Sequence, residues 1–63
     1  MNQCHVVQVS AWRGWLVEVS QGERQGYQCW VVNPALEVLS DGALYSTSSA
    51  AMSAGRQFVE RHR

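Results

Sequence analysis

Hydrophobic positions along most of the chain recur with the period of two that a half-buried strand requires, and only the last third changes to a helical period. Gln3-Cys4-His5-Val6-Val7-Gln8-Val9-Ser10 is rich in β-branched residues and too short for a helix. It predicts a strand over 3–10, with Val7 and Val9 on one side and Val6 on the other. Ala11-Trp12-Arg13-Gly14 then reads as a turn, Gly14 supplying the positive φ that a tight hairpin demands. The clearest alternation follows over 15–20, placing Trp15, Val17 and Val19 on one face and Glu18 and Ser20 on the other. Gln21 to Gly26 is polar and bracketed by glycines, which predicts a second hairpin loop.

A third strand, 27–33, carries apolar residues in both parities: Tyr27, Cys29 and Val31 against Trp30 and Val32. Both of its sides are therefore candidates for cover. Pro34 lacks a ladder donor and drives Asn33 from helical angles, so Asn33-Pro34-Ala35 predicts a turn into a short strand over 36–40, ended by Asp41-Gly42. Ser46-Thr47-Ser48-Ser49 consists of N-capping residues and precedes an alanine-rich stretch, so one helix is expected over about 47–61. Ala51, Ala54, Phe58 and His62 form its expected inner stripe, with Gly55 and Val59 at the edge and Ser53, Gln57 and Glu60 outward. Gly55 costs a helix about 1 kcal/mol relative to Ala, and a close helix–sheet contact would account for it. The element order predicts an α+β domain: a meander of three to four antiparallel strands packed by one C-terminal helix.

Length then limits the answer. With 63 residues there is room for one domain and one core, and chains of this size bury only about 60% of their unfolded surface. Cys4 and Cys29 are too few for a disulfide scaffold, and Met1 to His5 lacks a secretory pattern, so a reduced, cytoplasmic chain is expected. Apolar runs stop at three or four residues, far below the ~20 that span a bilayer, so no membrane partner is expected. Five arginines balance five acids and there is no lysine. That balance lacks the cationic excess of most nucleic-acid binders.

From Gly26 to Glu60 the chain resembles the YegP-like family of short bacterial domains. The residues that carry this are Glu37-Val38-Leu39-Ser40-Asp41-Gly42 and Tyr45-Ser46-Thr47-Ser48-Ser49-Ala50-Ala51. The resemblance implies architecture more than activity: a curved antiparallel sheet with one helix on its concave side, often built in pairs or as a tandem.

Little in the residue pattern points to catalysis. Cys4, His5, Cys29 and His62 are soft ligands, but adjacent strand residues such as Cys4 and His5 point to opposite faces, and no close C-x2-C pair exists. No metal or other cofactor is expected. Neither cysteine has a neighbouring cation to activate it. The serine run is explained by capping, and Glu18, Glu23, Glu37, Asp41 and Glu60 are dispersed. The chain is not expected to be an enzyme.

The aromatic residues say more, because three tryptophans, two tyrosines and a phenylalanine must share a core that one helix covers. Trp15 and Phe58 are assigned to that core. Trp12, at the turn, and Trp30, on the second parity of its strand, are expected to be exposed. With Val6, Leu16 and Val32 they would form a second apolar face for a homodimer or another protein partner. A bulge would exchange the faces, so parity alone leaves a monomer open as well. A rival reading is nucleic-acid recognition resembling the three-stranded arm-binding domains of phage-type integrases, with Arg13, Arg24 and Trp12 on hairpin tips.

Overall fold

The computed structural model describes residues 5–22 and 26–63. The expected strand start at Gln3, the Cys4 ligand and the loop residues Glu23 and Arg24 lie outside them. Within the described residues the chain is α+β: β1 (His5–Trp12), β2 (Trp15–Gln21), β3 (Tyr27–Val32), β4 (Val38–Leu39) and α1 (Ser48–His62). The four strands form one open antiparallel sheet in the order β1-β2-β3-β4.

The first hairpin is tighter than the sequence suggests. β1 continues through Ala11 and Trp12, and only Arg13 and Gly14 turn, both at positive φ (57° and 83°). Two consecutive positive φ values match the right-handed twist of the flanking strands, and the turn closes on the pair Trp12↔Trp15. One irregularity interrupts this ladder, between Val6 and Gln8. The slip brings Val6 opposite Ser20 and Val9 opposite Glu18. Directly opposed residues share a face, so Val6 and Val9 lie on the same side, contrary to the expected split.

Asn33 shortens the other end of the sheet. Its backbone N–H donates to the Glu37 carbonyl (3.0 Å), its Oδ1 accepts from the Glu37 N–H (2.9 Å), and its Nδ2 donates to Glu37 Oε1 (2.8 Å). Leu36 closes the turn by donating to the Asn33 carbonyl at 2.8 Å and takes a φ of 66°. Residues 33–37 are thus a side-chain-braced loop, and β4 is only two residues long instead of the expected five.

Thr47 caps α1 from an extended backbone, its hydroxyl oxygen accepting from the Ala50 N–H at 3.0 Å. Arg61 and His62 occupy the last turn, where positive charge suits the helix dipole. His62 stacks on Phe58 with ring centres 4.1 Å apart. The buried stripe is Ala51, Met52, Gly55, Phe58 and Val59, whereas Ala54 is half-buried and His62 exposed. The expected stripe was therefore rotated, with Met52 overlooked and Gly55 at the centre rather than the edge.

That glycine sets how close the layers lie. A Cβ at position 55 would stand 2.5 Å from Val17 Cγ1 and 3.4 Å from Cys29 Cβ, so only a residue without a side chain fits this approach. The core beneath consists of Trp15, Val17, Val19, Cys29 and Val31 from the sheet and Ala51, Met52, Phe58 and Val59 from the helix. All five sheet residues come from β2 and β3, the two central strands.

Candidate docking surface

The face of the sheet opposite α1 follows from the register. One row crosses all four strands as Ala11, Leu16, Val32 and Val38, each directly opposite the next. The row beside it holds Val9, Glu18 and Trp30, and the third Val6, Ser20 and Gln28. No described element covers these rows. Val6, Val9, Leu16 and Val38 are 57%, 56%, 44% and 62% exposed, and Glu18 is the one charged residue among them. Hydrophobic side chains therefore protrude from both sides of the sheet, and the helix covers one of them.

Trp30, Val32, Leu16 and Val6 all stand on this bare face. Trp30 is only half-exposed: its indole N–H donates to Ser20 Oγ at 2.8 Å. Ser20 is left just 4% exposed on a face that no described element covers. The indole thus shields one polar group and satisfies its own donor in doing so.

Trp12 is placed differently from the expectation. Its pairing with Trp15 turns it to the helix side, where it is half-buried and packs against the core. The guanidinium carbons of Arg13 and Arg56 lie 5.4 and 5.1 Å from its ring centre, within cation–π range. Its indole N–H donates to Glu60 Oε2 at 3.2 Å, and Arg13 Nε donates to the same oxygen at 2.9 Å. Arg63 holds the other carboxylate oxygen through Nε and Nη2, both at 3.1 Å. The hydrogen bonds from Arg63, aided by the Arg13 charge, outweigh a desolvation that acts to raise it and leave the Glu60 carboxyl below its ordinary range. This cluster fastens the β1–β2 hairpin tip to the end of α1. Arg13 and Trp12, two of the residues invoked for groove contacts, are engaged there, and among the described residues no arginine stands on the bare sheet face.

Val9, Ala11 and Val38 also belong to the bare face and were not foreseen. For Val9 the reason is the slip at Val7, which has no mark in the residue pattern, and for Ala11 it is the two-residue turn, which leaves Ala11 in β1. For Val38 it is the Asn33–Glu37 brace, which sets where β4 begins.

Elsewhere, the groups capable of chemistry are occupied or apart. Cys29 is a free thiol 1% exposed, and burial, reinforced by the nearby Asp41 charge, pushes its pKa up, away from nucleophilic use. Burial acts to raise the Asp41 carboxyl as well, but hydrogen bonds from the Tyr45 hydroxyl and the Ala43 N–H outweigh it and leave its pKa lowered. The same bond pushes Tyr45 up to about 12. Gln21, Gly26, Tyr27, Leu44, Tyr45 and Ser46 line an open depression of about 470 Å³. Among the described residues no three His, Cys, Asp or Glu side chains converge to hold a metal. Among them, too, no helix is long and apolar enough to cross a membrane.

Comparison with family models, curated proteins and solved structures finds no match.

Proposed function

We propose that this chain is a small, non-enzymatic assembly module of the cytoplasm that docks an apolar protein surface on the bare face of its sheet. The observation that carries this is the unbroken row Ala11-Leu16-Val32-Val38 across all four strands. Contiguous apolar patches beyond a few hundred Å² are uncommon on monomers and mark contact sites. Charge supports a protein partner over a nucleic acid, since Glu18 is the face's lone charge among the described residues and phosphate binding needs cations there. A free, buried Cys29 thiol agrees with a reducing compartment. The resemblance to YegP-like domains, which often occur in pairs, points the same way.

Sedimentation at micromolar and submillimolar concentrations tests the reading, comparing the parent chain with a Leu16→Lys, Val38→Lys double variant. Both side chains are exposed, so folding is expected to survive. The parent should gain mass with concentration to a greater extent than the variant. Equal masses for the two chains at both concentrations would remove the bare face as an assembly surface.

A further inference from the structure

The two edges of the sheet are finished in different ways. Beside β3, the outer edge is closed along its length: Leu39 and Val38 pair with its C-terminal half, and Ser40 Oγ donates to the Cys29 carbonyl at 2.9 Å. At its start, Tyr27 and Tyr45 exchange both backbone hydrogen bonds at 2.8 Å. β1 at the opposite edge has none of this. Among the described residues no backbone group bonds its outer side, and the Ser10 hydroxyl alone reaches it, donating to the Ala11 carbonyl at 3.4 Å. Its eight residues include no proline, lysine, arginine or carboxylate, so of the devices that ordinarily keep a free edge from pairing it has only the irregularity between Val6 and Gln8.

From these observations we infer that the occupant of the β1 edge is a second copy of this chain, joined through a two-fold axis at Ser10 into a continuous eight-stranded sheet. The register provides the alignment. A two-residue hairpin closes on a hydrogen-bonded pair, so Trp12, Ser10 and Gln8 direct their backbone groups toward β2. Val9 and Ala11 therefore direct theirs outward. Antiparallel pairing about Ser10 sets Val9 of one copy opposite Ala11 of the other, and each such pair exchanges two N–H to O=C bonds. The irregularity at Val7 confines regular pairing to the segment after it.

Three features select a second copy over an unrelated strand. The edge is uncharged from Val6 to Trp12, so a copy meets no like charge along the backbone seam. The far edge is β4, whose two residues are too short to template a further strand, so two-fold pairing stops at a dimer instead of propagating into a filament. Area supplies the third. Four strands about 4.8 Å apart and three rows about 6.8 Å apart give each bare face at most about 400 Å², roughly half of the ~800 Å² per partner of a standard interface. Edge pairing places two such faces in one layer, with Val9 and Ala11 continuous across the seam. On the helix side, Arg56 reaches Ser10 Oγ at 3.4 Å. The two copies of that guanidinium approach near the axis, and added salt should therefore strengthen the dimer.

The inference rests on the proposed assembly role but fails separately from it. Val9→Pro removes an outward donor while leaving the β1–β2 ladder intact, a place where edge strands accept proline. Val9→Lys keeps the donor and sets a charge beside the seam, so a folding defect peculiar to proline can be recognised. The parent should sediment as a dimer at micromolar concentration and both variants should dissociate at least about tenfold more readily. The Leu16→Lys, Val38→Lys variant should remain dimeric at micromolar concentration and lose only the further gain in mass that the bare face gives the parent at submillimolar concentration. In the parent, the Val9 and Ala11 amide hydrogens should exchange slowly, and faster on dilution. A dimer that survives both Val9 substitutions, or fast exchange at those two amides within it, would overturn the inference. Loss of the dimer in the Leu16→Lys, Val38→Lys chain alone would mean face-to-face pairing, which leaves the docking face standing and removes the edge. A parent that is monomeric at every concentration removes the second copy.

Discussion

The two faces of this sheet are built from the same strands and much the same residues, and they end in opposite environments. On the helix side, Val17, Val19 and Val31 are at most 1% exposed; on the other side, Leu16 and Val38 are 44% and 62% exposed. Propensity and hydrophobicity do not separate the two sets. What separates them is a neighbour that can approach closely, and α1 approaches because position 55 has no side chain. The bare face has an equally apolar row and, among the described residues, no such cylinder. The difference teaches that a small α+β chain with one helix buries one sheet surface and leaves the other for something outside the fold.

Gly55→Ala is the most severe way to break the contrast. The added methyl meets Val17 inside normal contact distance. Overpacking of this kind costs about 1–3 kcal/mol, more than the roughly 1 kcal/mol gained in helix propensity. The midpoint of chemical denaturation should fall, and a midpoint that rises would show that the layers can separate without penalty. On the bare face, Trp30→Ser should sharpen the contrast. Folding should lose only about 1 kcal/mol, since the indole is half-exposed and Ser20, once uncovered, is hydrated. Association, read by sedimentation, should weaken more than folding does.

The smallest effect concerns the segment that closes the β3 edge. Tyr45 has a pKa raised from 10.0 to about 12 by its bond to Asp41. A raised pKa means that the native state holds its proton where the unfolded chain has lost it. The Tyr45–Asp41 contribution is therefore complete below pH 10 and declines between 10 and about 12. Thermal melts across that interval should show a steeper loss for the parent than for Tyr45→Phe, which has no proton to lose. Parallel curves would mean that the bond does not couple to folding.

Much of the fold was legible in the residue pattern. The alternation in Trp15-Leu16-Val17-Glu18-Val19, the glycine turns and the capping run before the alanines each act over a few residues, and backbone geometry converts such local patterns directly into strands, a hairpin and a helix start. Trp30, Leu16, Val32 and Val6 were legible as a second face for the same reason. Trp12 was not, because its side depends on whether the turn has two residues or four. Nor were Val9 and Val38, because one slipped residue in β1 and one side-chain brace at Asn33 reset the parity beyond them.

By itself, then, the amino-acid sequence determined the kinds of elements, their order and the presence of more apolar surface than one helix can cover, since these depend on local periodicity and composition. Tertiary structure alone decided which side each tryptophan occupies, that Gly55 stands at the closest approach, and that the outer side of β3 is paired while no described backbone pairs the outer side of β1. These are matters of register and distance between segments far apart in the chain, and a shift of one residue, invisible in composition, turns a side chain from one face to the other.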